Sequence, residues 1–384
     1  MHFYKQYCFG MITKRSVLGV MATVVLFVAL SAFVVPYKAT EPLPGRLTDD
    51  AFWKIVTGFS EEEGYFRFEN FLSNEMGFQR VIPGLKEIAK SGGVYLGVGP
   101  EQNFTYIAAL QPKIAFIIDI RRQNMIEHLM YKALFELSSD RADFLSRLYA
   151  RKRPGGLNAD VDSDVLFAGY ERLQRDPALA EENLSAIKQI LRNHKFALSK
   201  EDFDTIGYVY SVFVESGPDL DYNVGGFGGG GGSPTYEQLM TATDKAGRNW
   251  SYLATEGNYR TMRDMELRNL IIPLVGDFAG PKAIRAVAEY LVDHDVRVTA
   301  FYLSNVERYL FQDSTHWRRF YRNISALPVD SSSTFIRSVN AGAYGRIGGY
   351  GMRFQSLLSS MPEAVKAFDE GRIRYYNDVI RMSR

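Results

Sequence analysis

The chain has few of the residues that build disulfides and metal sites. Cys8 is its single cysteine, so no intrachain disulfide can form, and because Cys8 precedes a long apolar segment we expect no catalytic thiol in the domain that follows. The five histidines show no paired metal-ligand spacing: His2, His128, His194, His294 and His316. The composition therefore predicts neither a thiol enzyme nor a metal site.

The chain also lacks an excess of either charge. Its 45 Lys and Arg residues almost balance its 44 Asp and Glu residues, and the formal net charge is +1 at pH 7. A nucleic-acid-binding protein normally carries a basic patch or an overall positive charge, so we expect no nucleic-acid partner. The 384 residues are 46% hydrophobic and 14% aromatic, which is enough for a full core in one large or two modest domains.

A long apolar run lies near the amino terminus. Residues 1–15 are polar and include Lys5, Lys14 and Arg15, whereas residues 16–36 form an apolar segment long enough to span a bilayer. Because the positive charges precede this segment, the positive-inside rule predicts a single-pass anchor in the inner membrane, with the soluble domain on the periplasmic side. A cleaved export signal is the alternative.

The rest of the chain divides by composition and periodicity. Proline and glycine predict an extended linker at residues 37–50, and apolar runs predict two halves of one α/β domain at 51–137 and 235–384. Between these halves, residues 138–224 have apolar side chains at helical spacing and predict an inserted helical subdomain. A glycine-rich loop at 225–234 follows it.

The stretch from Gly92 to Asn124 reads as strand, glycine turn, helix and strand. A short apolar run ends at Gly97 and Gly99, an amphipathic segment follows, and a second apolar run ends at Asp119. In nucleotide-binding units of this order, the glycines let the backbone approach the ligand, and the acidic residue bonds the ribose hydroxyls. The stretch therefore predicts half of a nucleotide-binding fold.

The residues after the glycines bear on the kind of ligand. A dinucleotide-binding turn would have a third glycine at Gln102, and Glu101 places a carboxylate in the first helical turn, where a pyrophosphate would otherwise bind. This pattern favours a phosphate-free nucleoside such as S-adenosylmethionine over NAD. A plain strand–helix–strand turn without any ligand is the alternative, because isolated Gly-x-Gly matches are common.

Further strands and helices follow the predicted insertion. Residues Asn269 to Val275 and Val296 to Leu303 are strand-like, and Ala283 to Asp293 is an amphipathic helix between them. We expect another strand at Thr334 to Val339 and a final helix from Phe354 to Asp369.

Polar residues follow the predicted strands where each of them ends. Besides the glycines and Asp119, they include Asp277 after the third strand and Asn305 after the fourth. The carboxyl ends of parallel strands meet at one edge of a sheet, so we expect these residues to line one crevice. The alternative is that Asp277 and Asn305 only cap the helices that follow them.

One polar trio precedes the first predicted strand. Ser73, Asn74 and Glu75 end a segment that is rich in aromatic residues. Such a segment covers the ligand in many nucleotide-binding folds. The alternative is that it packs against the core and that Ser73 caps a helix.

This order of features resembles the class I S-adenosylmethionine-dependent methyltransferase fold. From Ser73 onward the chain is also similar to a family of uncharacterised bacterial proteins assigned to that fold, through the segments GPEQNFTYIAALQPKIAFIIDIRRQN, LMTATD, RNLIIPLVGDFAGPKA and TAFYLSNVERYLF. The resemblance implies an α/β, doubly wound, mostly parallel Rossmann-like sheet. It also implies that Gly97 and Gly99 border the methionine part of the cofactor, Asp119 the ribose, Asp277 the adenine amino group and Asn305 the reacting centre.

The candidate cofactor-binding residues cluster after the first three strands: Gly97, Gly99, Glu101, Gln102, Asn103, Asp119, Arg121, Asp277 and Phe278. The candidate catalytic residues follow the fourth strand: Asn305, Glu307 and Tyr309. Glu307 or Asp277 would serve as a base, and Asn305 with Tyr309 would orient the methyl acceptor. Tyr95 stands where methyltransferases commonly have an acid that holds the cofactor's amino group.

Two functions follow from these observations. The first is a membrane-anchored methyltransferase that uses S-adenosylmethionine on an unknown acceptor. The second is a non-catalytic, small-ligand-binding module tethered to the membrane. The predicted topology favours the second, because S-adenosylmethionine is made in the cytoplasm and the anchor would place the domain outside it.

Overall fold

A computed structural model describes residues 41–222, 233–340 and 354–384. The chain from Pro42 to Arg384 forms one compact unit. Within the described residues, no helix is both long and apolar enough to cross a membrane. The predicted membrane segment at 16–36 and residues 225–232 of the predicted glycine-rich loop lie outside the described residues.

The centre of the unit is a six-stranded sheet. Its strands are β1 (Val94–Gly97), β2 (Ile114–Asp119), β3 (Ile271–Val275), β4 (Val298–Ser304), β5 (Thr334–Asn340) and β6 (Phe354–Ser360). Their order across the sheet is β3-β2-β1-β4-β5-β6, with β1 to β5 parallel and β6 antiparallel to β5. The strands β2 and β3 are buried along their whole length, which is typical of strands inside a parallel sheet. The expectation of an α/β protein with a mostly parallel sheet is thus confirmed.

Helices occupy much of the remaining described chain. In chain order they are α1 (Asp49–Phe59), α2 (Ile82–Ile88), α3 (Gln102–Leu110), α4 (Arg122–Leu137), α5 (Arg141–Tyr149), α6 (Ser163–Glu171), α7 (Pro177–Asn193), α8 (Lys200–Ser216), α9 (Tyr236–Thr241), α10 (Glu256–Leu267), α11 (Ala283–Asp293), α12 (Val306–Leu310), α13 (His316–Ile324), α14 (Met361–Asp369) and α15 (Tyr376–Arg381). Two short 3-10 helices lie at Phe78–Val81 and Gly217–Asp219.

The helices α5 to α8 lie between β2 and β3 in the chain, where the helical insertion was predicted. Their apolar faces join the same hydrophobic cluster as the sheet. Aromatic stacking contributes to this junction: the ring of Phe144 on α5 lies 4.8 Å from that of Phe135 on α4, at an interplanar angle of 28°. The helical region therefore shares the core of the sheet and does not form a core of its own.

The predicted final helix from Phe354 to Asp369 is wrong in its first half. The residues from Phe354 to Ser360 form β6, which pairs with β5 along its whole length. The helix begins only at Met361, where the Ser360 side chain accepts a hydrogen bond from the amide of Glu363. The apolar residues on both sides of this boundary have helical spacing, so periodicity alone misses the boundary. The pattern Ser-x-x-Glu with a proline in the first turn marks the true start.

Candidate functional site

A cavity of about 370 Å³ lies at the carboxyl edge of the sheet. This volume falls in the range of roughly 300–1,000 Å³ that is typical of small-molecule sites. The strand-end residues Gly99, Asp119, Asp277 and Asn305 all line it. The structure therefore brings together four of the polar positions that the sequence places after β1, β2, β3 and β4.

The glycine turn after β1 is shaped from inside the protein by Asn103. Its Nδ2 donates to the carbonyl oxygens of Val98 at 3.0 Å, Gly99 at 3.1 Å and Pro100 at 2.7 Å. Its Oδ1 accepts a hydrogen bond of 2.9 Å from the hydroxyl of Tyr95. Asn103 is fully buried and does not line the cavity, so it positions the turn and does not contact a ligand there.

The two glycines of the turn differ in purpose. A Cβ atom at Gly97 would lie 1.9 Å from Asn103 Oδ1, so this glycine makes room for the side chain of Asn103. Gly99 has a φ of +77°, faces the cavity and has open space where a Cβ atom would be. Only Gly99 has the position of a ligand-facing glycine.

The start of α3 leaves little room for a phosphate. The amides of Asn103 and Phe104 donate to the carbonyl oxygens of Pro100 and Glu101, at 3.4 and 2.9 Å. Glu101 is fully buried and lies outside the cavity lining, which differs from its predicted role beside the cofactor. Burial raises the pKa of Glu101 to about 8.

The acidic residue at the end of β2 is already paired. Asp119 Oδ1 accepts from the backbone amide of Arg121 at 2.9 Å and from its Nε at 3.1 Å, and Asp119 Oδ2 accepts from its Nη2 at 3.1 Å. Both residues are buried, and both line the cavity. The arginine therefore neutralises the carboxylate, while Asp119 Oδ2 accepts only one of these bonds and keeps a lone pair for a ligand hydroxyl.

The turn after β3 supplies a carboxylate and an aromatic ring. Asp277 is half-buried and accepts a hydrogen bond of 2.9 Å from the amide of Ala279. Phe278 is buried and stacks on Phe320, with ring centroids 5.7 Å apart and planes at 11°. Both predicted residues line the cavity, where they present a polar acceptor beside an apolar face.

Of the three candidate catalytic residues after β4, two line the cavity and one does not. Asn305 and Tyr309 line the cavity, and Tyr309 packs edge-on against Phe66 at 5.4 Å. Glu307 is buried outside the cavity lining: its carboxylate pairs with Arg337 and accepts from the hydroxyl of Tyr321 at 2.7 Å. Residues four apart on a helix share a face and the residue between them does not, so Glu307 is not brought to the predicted reacting centre.

Glu75 is a cavity residue whose contacts the sequence did not indicate. It is 2% exposed and accepts hydrogen bonds from the hydroxyls of Tyr302 at 2.8 Å and Ser304 at 2.7 Å, and from Gln102 Nε2 at 3.2 Å. All four residues line the cavity, together with Ser73 and Asn74. Alternate residues of a strand face the same side of a sheet, so the sequence could have predicted that Tyr302 and Ser304 share one face.

Metal coordination requires several acidic, histidine or cysteine side chains close together. Across the described ranges, no group of three or more of them has the geometry to hold a metal ion.

The fold and the cavity define an α/β protein with a ligand-sized site at the carboxyl edge of a mostly parallel sheet. Residues 70–157 and 178–382 match the model of a family described as "Domain of unknown function (DUF7790)", and the chain belongs to this family. No curated protein matches the chain. The matched ranges include the glycine turn and the ends of β1 to β4.

Proposed function

We propose that the protein is an S-adenosylmethionine-dependent methyltransferase that binds its cofactor in this cavity. The observation that carries the proposal is the convergence of Gly99, Asp119, Asp277 and Asn305 on one space of about 370 Å³. The strand order supports it, because β3-β2-β1-β4-β5-β6 corresponds to the doubly wound Rossmann order. In that fold the ligand lies where the strand order reverses, which here is between β1 and β4.

The charges around the cavity favour a cationic nucleoside over a dinucleotide. Glu75 and Asp277 are acidic, whereas Asp119 and Arg121 form an ion pair that adds no net charge. A pyrophosphate would add negative charge to this edge, and it would find the amides of Asn103 and Phe104 engaged with backbone carbonyls. A sulfonium adds positive charge, which this arrangement of acids stabilises.

Each residue would have a simple role in binding. The free lone pair of Asp119 would accept from a ribose hydroxyl, Asp277 from the adenine amino group, and Phe278 would lie against the base. Gly99 would let the backbone approach the cofactor. When bound, S-adenosylmethionine supplies an electrophilic methyl group. Asn305 and Tyr309 would align the acceptor with it, and alignment is the main requirement of this reaction.

Calorimetry with the full-length protein tests the proposal. We expect S-adenosylmethionine and S-adenosylhomocysteine to bind, NAD to bind much more weakly, and Asp277→Ala to lower the affinity by about tenfold, the effect of one lost hydrogen bond to a charged group. Asp204→Ala, at an exposed position on α8, is the matched control and should leave the affinity unchanged. The absence of any heat of binding with S-adenosylmethionine would exclude the proposed cofactor.

A binding module without catalysis is the second candidate. It is favoured by Glu307, because a carboxylate engaged by Arg337 and Tyr321 does not serve as a base in the cavity. Mass spectrometry of the ligand that copurifies with the native protein separates the two functions. S-adenosylmethionine or S-adenosylhomocysteine would support the methyltransferase, whereas an unrelated metabolite would support the binding module.

A further inference from the structure

The inner end of the cavity holds a buried carboxyl group, and no described side chain that donates a hydrogen bond to it carries a positive charge. Glu75 is almost fully buried, yet its hydrogen-bond donors Tyr302, Ser304 and Gln102 are all neutral groups. Within the described chain, the largest influences on the pKa of Glu75 are burial, which raises it, and the neutral side chains of Ser304, Tyr302, Gln102 and Ser338, which lower it. An uncompensated charge in a buried position is costly to keep, so its presence at the wall of a cavity needs an explanation.

The remaining titratable neighbours of Glu75 are tyrosines. Tyr95 on β1, Tyr106 on α3 and Tyr302 on β4 surround it, and burial raises the pKa of each of these hydroxyls, so that all three are neutral near pH 7. They donate or accept hydrogen bonds but supply no positive charge. Among the described residues, the groups around Glu75 therefore supply no positive charge to it, whereas a ligand in the cavity can.

A second buried side chain that lacks a hydrogen-bond partner lines the same cavity. Gln102 is 1% exposed and lines the cavity, and its Nε2 is directed at Glu75 Oε2. This orientation leaves Gln102 Oε1 buried without a hydrogen-bond partner. Glu75 Oε2 accepts one bond from Gln102, whereas Glu75 Oε1 accepts two. The hydroxyl of Ser338 also lies near the carboxyl group and lowers its pKa, but it makes no bond of hydrogen-bond geometry. Two acceptor atoms with free lone pairs thus lie together at this end of the cavity.

The backbone at the end of β4 is held in an unusual shape beside these acceptors. Ser304 has a φ of +47°, which residues other than glycine rarely adopt, and the pairing of β4 with β5 shifts register between Tyr302 and Ser304. The strained residue directs its hydroxyl to Glu75 Oε1 at 2.7 Å. A strained backbone conformation persists only where the surrounding contacts hold it in place. Such conformations are concentrated at active sites and ligand-binding sites.

We propose that this inner end is an ammonium-binding subsite, in which Glu75 Oε2 and Gln102 Oε1 accept hydrogen bonds from a protonated amine of the ligand. An ammonium group carries three donors and one positive charge, so it meets both free acceptors and compensates the buried carboxylate. Tyr302 and Ser304 hold the carboxylate in place. A divalent metal ion fits less well, because the described residues offer no cluster of metal ligands here.

The amine has two possible sources, and they share this chemistry. It belongs either to the amino-acid tail of the nucleoside or to the methyl acceptor, whose predicted position at Asn305 directly follows Ser304 in the chain. The first source depends on the proposed function, because it requires that the cavity binds S-adenosylmethionine. The binding of an amine at Glu75 does not depend on it.

A matched pair of ligands tests the nucleoside source. Full-length protein is titrated with 5′-(3-aminopropylthio)adenosine and with 5′-propylthioadenosine, which differ only in the amine. We expect the amine to improve the affinity by about 10- to 100-fold, as hydrogen bonds to a charged group do, and Glu75→Gln to remove that advantage. Glu266→Gln, at a buried glutamate on α10 outside the cavity lining, is the control and should keep it.

Simple amines test the acceptor source. Propylamine and 1,4-diaminobutane are titrated into the protein saturated with S-adenosylhomocysteine, and into the protein alone, with propan-1-ol as the uncharged comparison. Binding of an amine that depends on Glu75, with no binding of the alcohol, would place the acceptor in the subsite.

The outcomes separate the subsite from the proposed function. If no adenosine compound binds but amines bind through Glu75, the subsite stands and the methyltransferase proposal fails. If both adenosine compounds bind equally and no amine binds, the subsite is excluded and the methyltransferase proposal stands. If nothing binds, both are excluded.

The wild-type protein supplies a further measurement in case Glu75→Gln does not fold. Burial raises the pKa of Glu75 above its ordinary value. The affinity advantage of the aminopropyl ligand should therefore disappear as the pH falls through that pKa and the carboxylate takes up a proton. An advantage that stays constant from pH 4 to pH 8 would exclude Glu75 as its source.

Discussion

Glu101 shows what burial does to a carboxyl group that has no charged partner. Burial raises its pKa from an ordinary value of 4.5 to about 8, and the nearby backbone amides of Glu101 and Ser73 oppose this rise only in part. Glu127 on α4 is in the same situation: burial first, and then the nearby Glu101, raise its pKa. The folded protein therefore keeps protons on this pair at pH values where an unfolded chain releases them.

We predict that Glu101→Gln stabilises the protein increasingly as the pH rises above 4.5, up to a plateau above pH 8. Below pH 4.5 the carboxyl group is neutral in both the folded and the unfolded chain, so the variant and the wild type should have similar free energies of unfolding. As the pH rises from 4.5 towards 8, the unfolded chain loses the proton first, and the wild type loses stability. Above pH 8 the variant should be more stable by a few kcal/mol, at about 1.4 kcal/mol for each unit of pKa shift.

Urea unfolding at pH 4 and pH 9 measures this difference. Glu289→Gln, at an exposed position on α11, is the control and should follow the wild type at both pH values. Equal pH dependence of the wild type and Glu101→Gln would contradict the predicted protonation of Glu101.

Residues 60–75 form a segment, here called the roof segment, that crosses the carboxyl edge of the sheet. The amide of Glu61 donates a hydrogen bond of 2.8 Å to the carbonyl oxygen of Val275, at the end of β3. The amide of Gly64 donates one of 2.9 Å to the carbonyl oxygen of Ile120, next to β2. Glu61 Oε1 also accepts from the amides of Lys282 and Ala283, at 2.8 and 2.7 Å. A carboxylate thus caps the start of α11, and it ties the roof of the cavity to the turn that carries Asp277.

We predict that Glu61→Ala loosens both partners of this contact. The amides of Lys282 and Ala283 lose their acceptor, which should cost about 1–2 kcal/mol of stability, as the loss of a helix cap does. Hydrogen exchange should become faster at the start of α11 and along the roof segment. Glu62→Ala removes an exposed neighbouring carboxylate and is the control. Unchanged exchange in Glu61→Ala would show that other contacts hold the roof segment.

Several elements and strand ends were predictable because they depend on local patterns. The runs that end at Gly97, Asp119 and Val275 read as buried strands, and parallel pairing then places their ends at one edge. The side-chain partners were not predictable in the same way. The pairing of Glu307 with Arg337 and the bonds from β4 to Glu75 join residues far apart in the chain, so no spacing rule reports them.

At the scale of the whole molecule, the compact unit from Pro42 to Arg384 contains the sheet, the helices and the cavity. The family match begins at residue 70, so Tyr65 and Phe66, which line the cavity, lie before it. Part of the cavity wall is therefore contributed by chain outside the matched ranges.

We predict that removal of residues 1–41 changes the location of the protein and leaves its folding intact. The shortened chain should be soluble and unfold at the same temperature as the full-length protein, because the compact unit begins at Pro42. The full-length protein should sediment with membranes if residues 16–36 are an anchor. Fractionation and thermal unfolding measure the two properties. A shortened chain that still sediments with membranes would contradict the predicted anchor.

The contact between Asn103 and Gly97 has a consequence for how this family has diverged. A side chain at position 97 would strike Asn103, and a smaller residue at 103 would leave three carbonyl groups and Tyr95 without their partner. We therefore expect a single substitution at either position to destabilise the turn, and the two positions to vary only together. Gly97 would then persist even in a relative that has lost its ligand. Gly99 has open space where a Cβ atom would be, but its φ of +77° makes any other residue there strained.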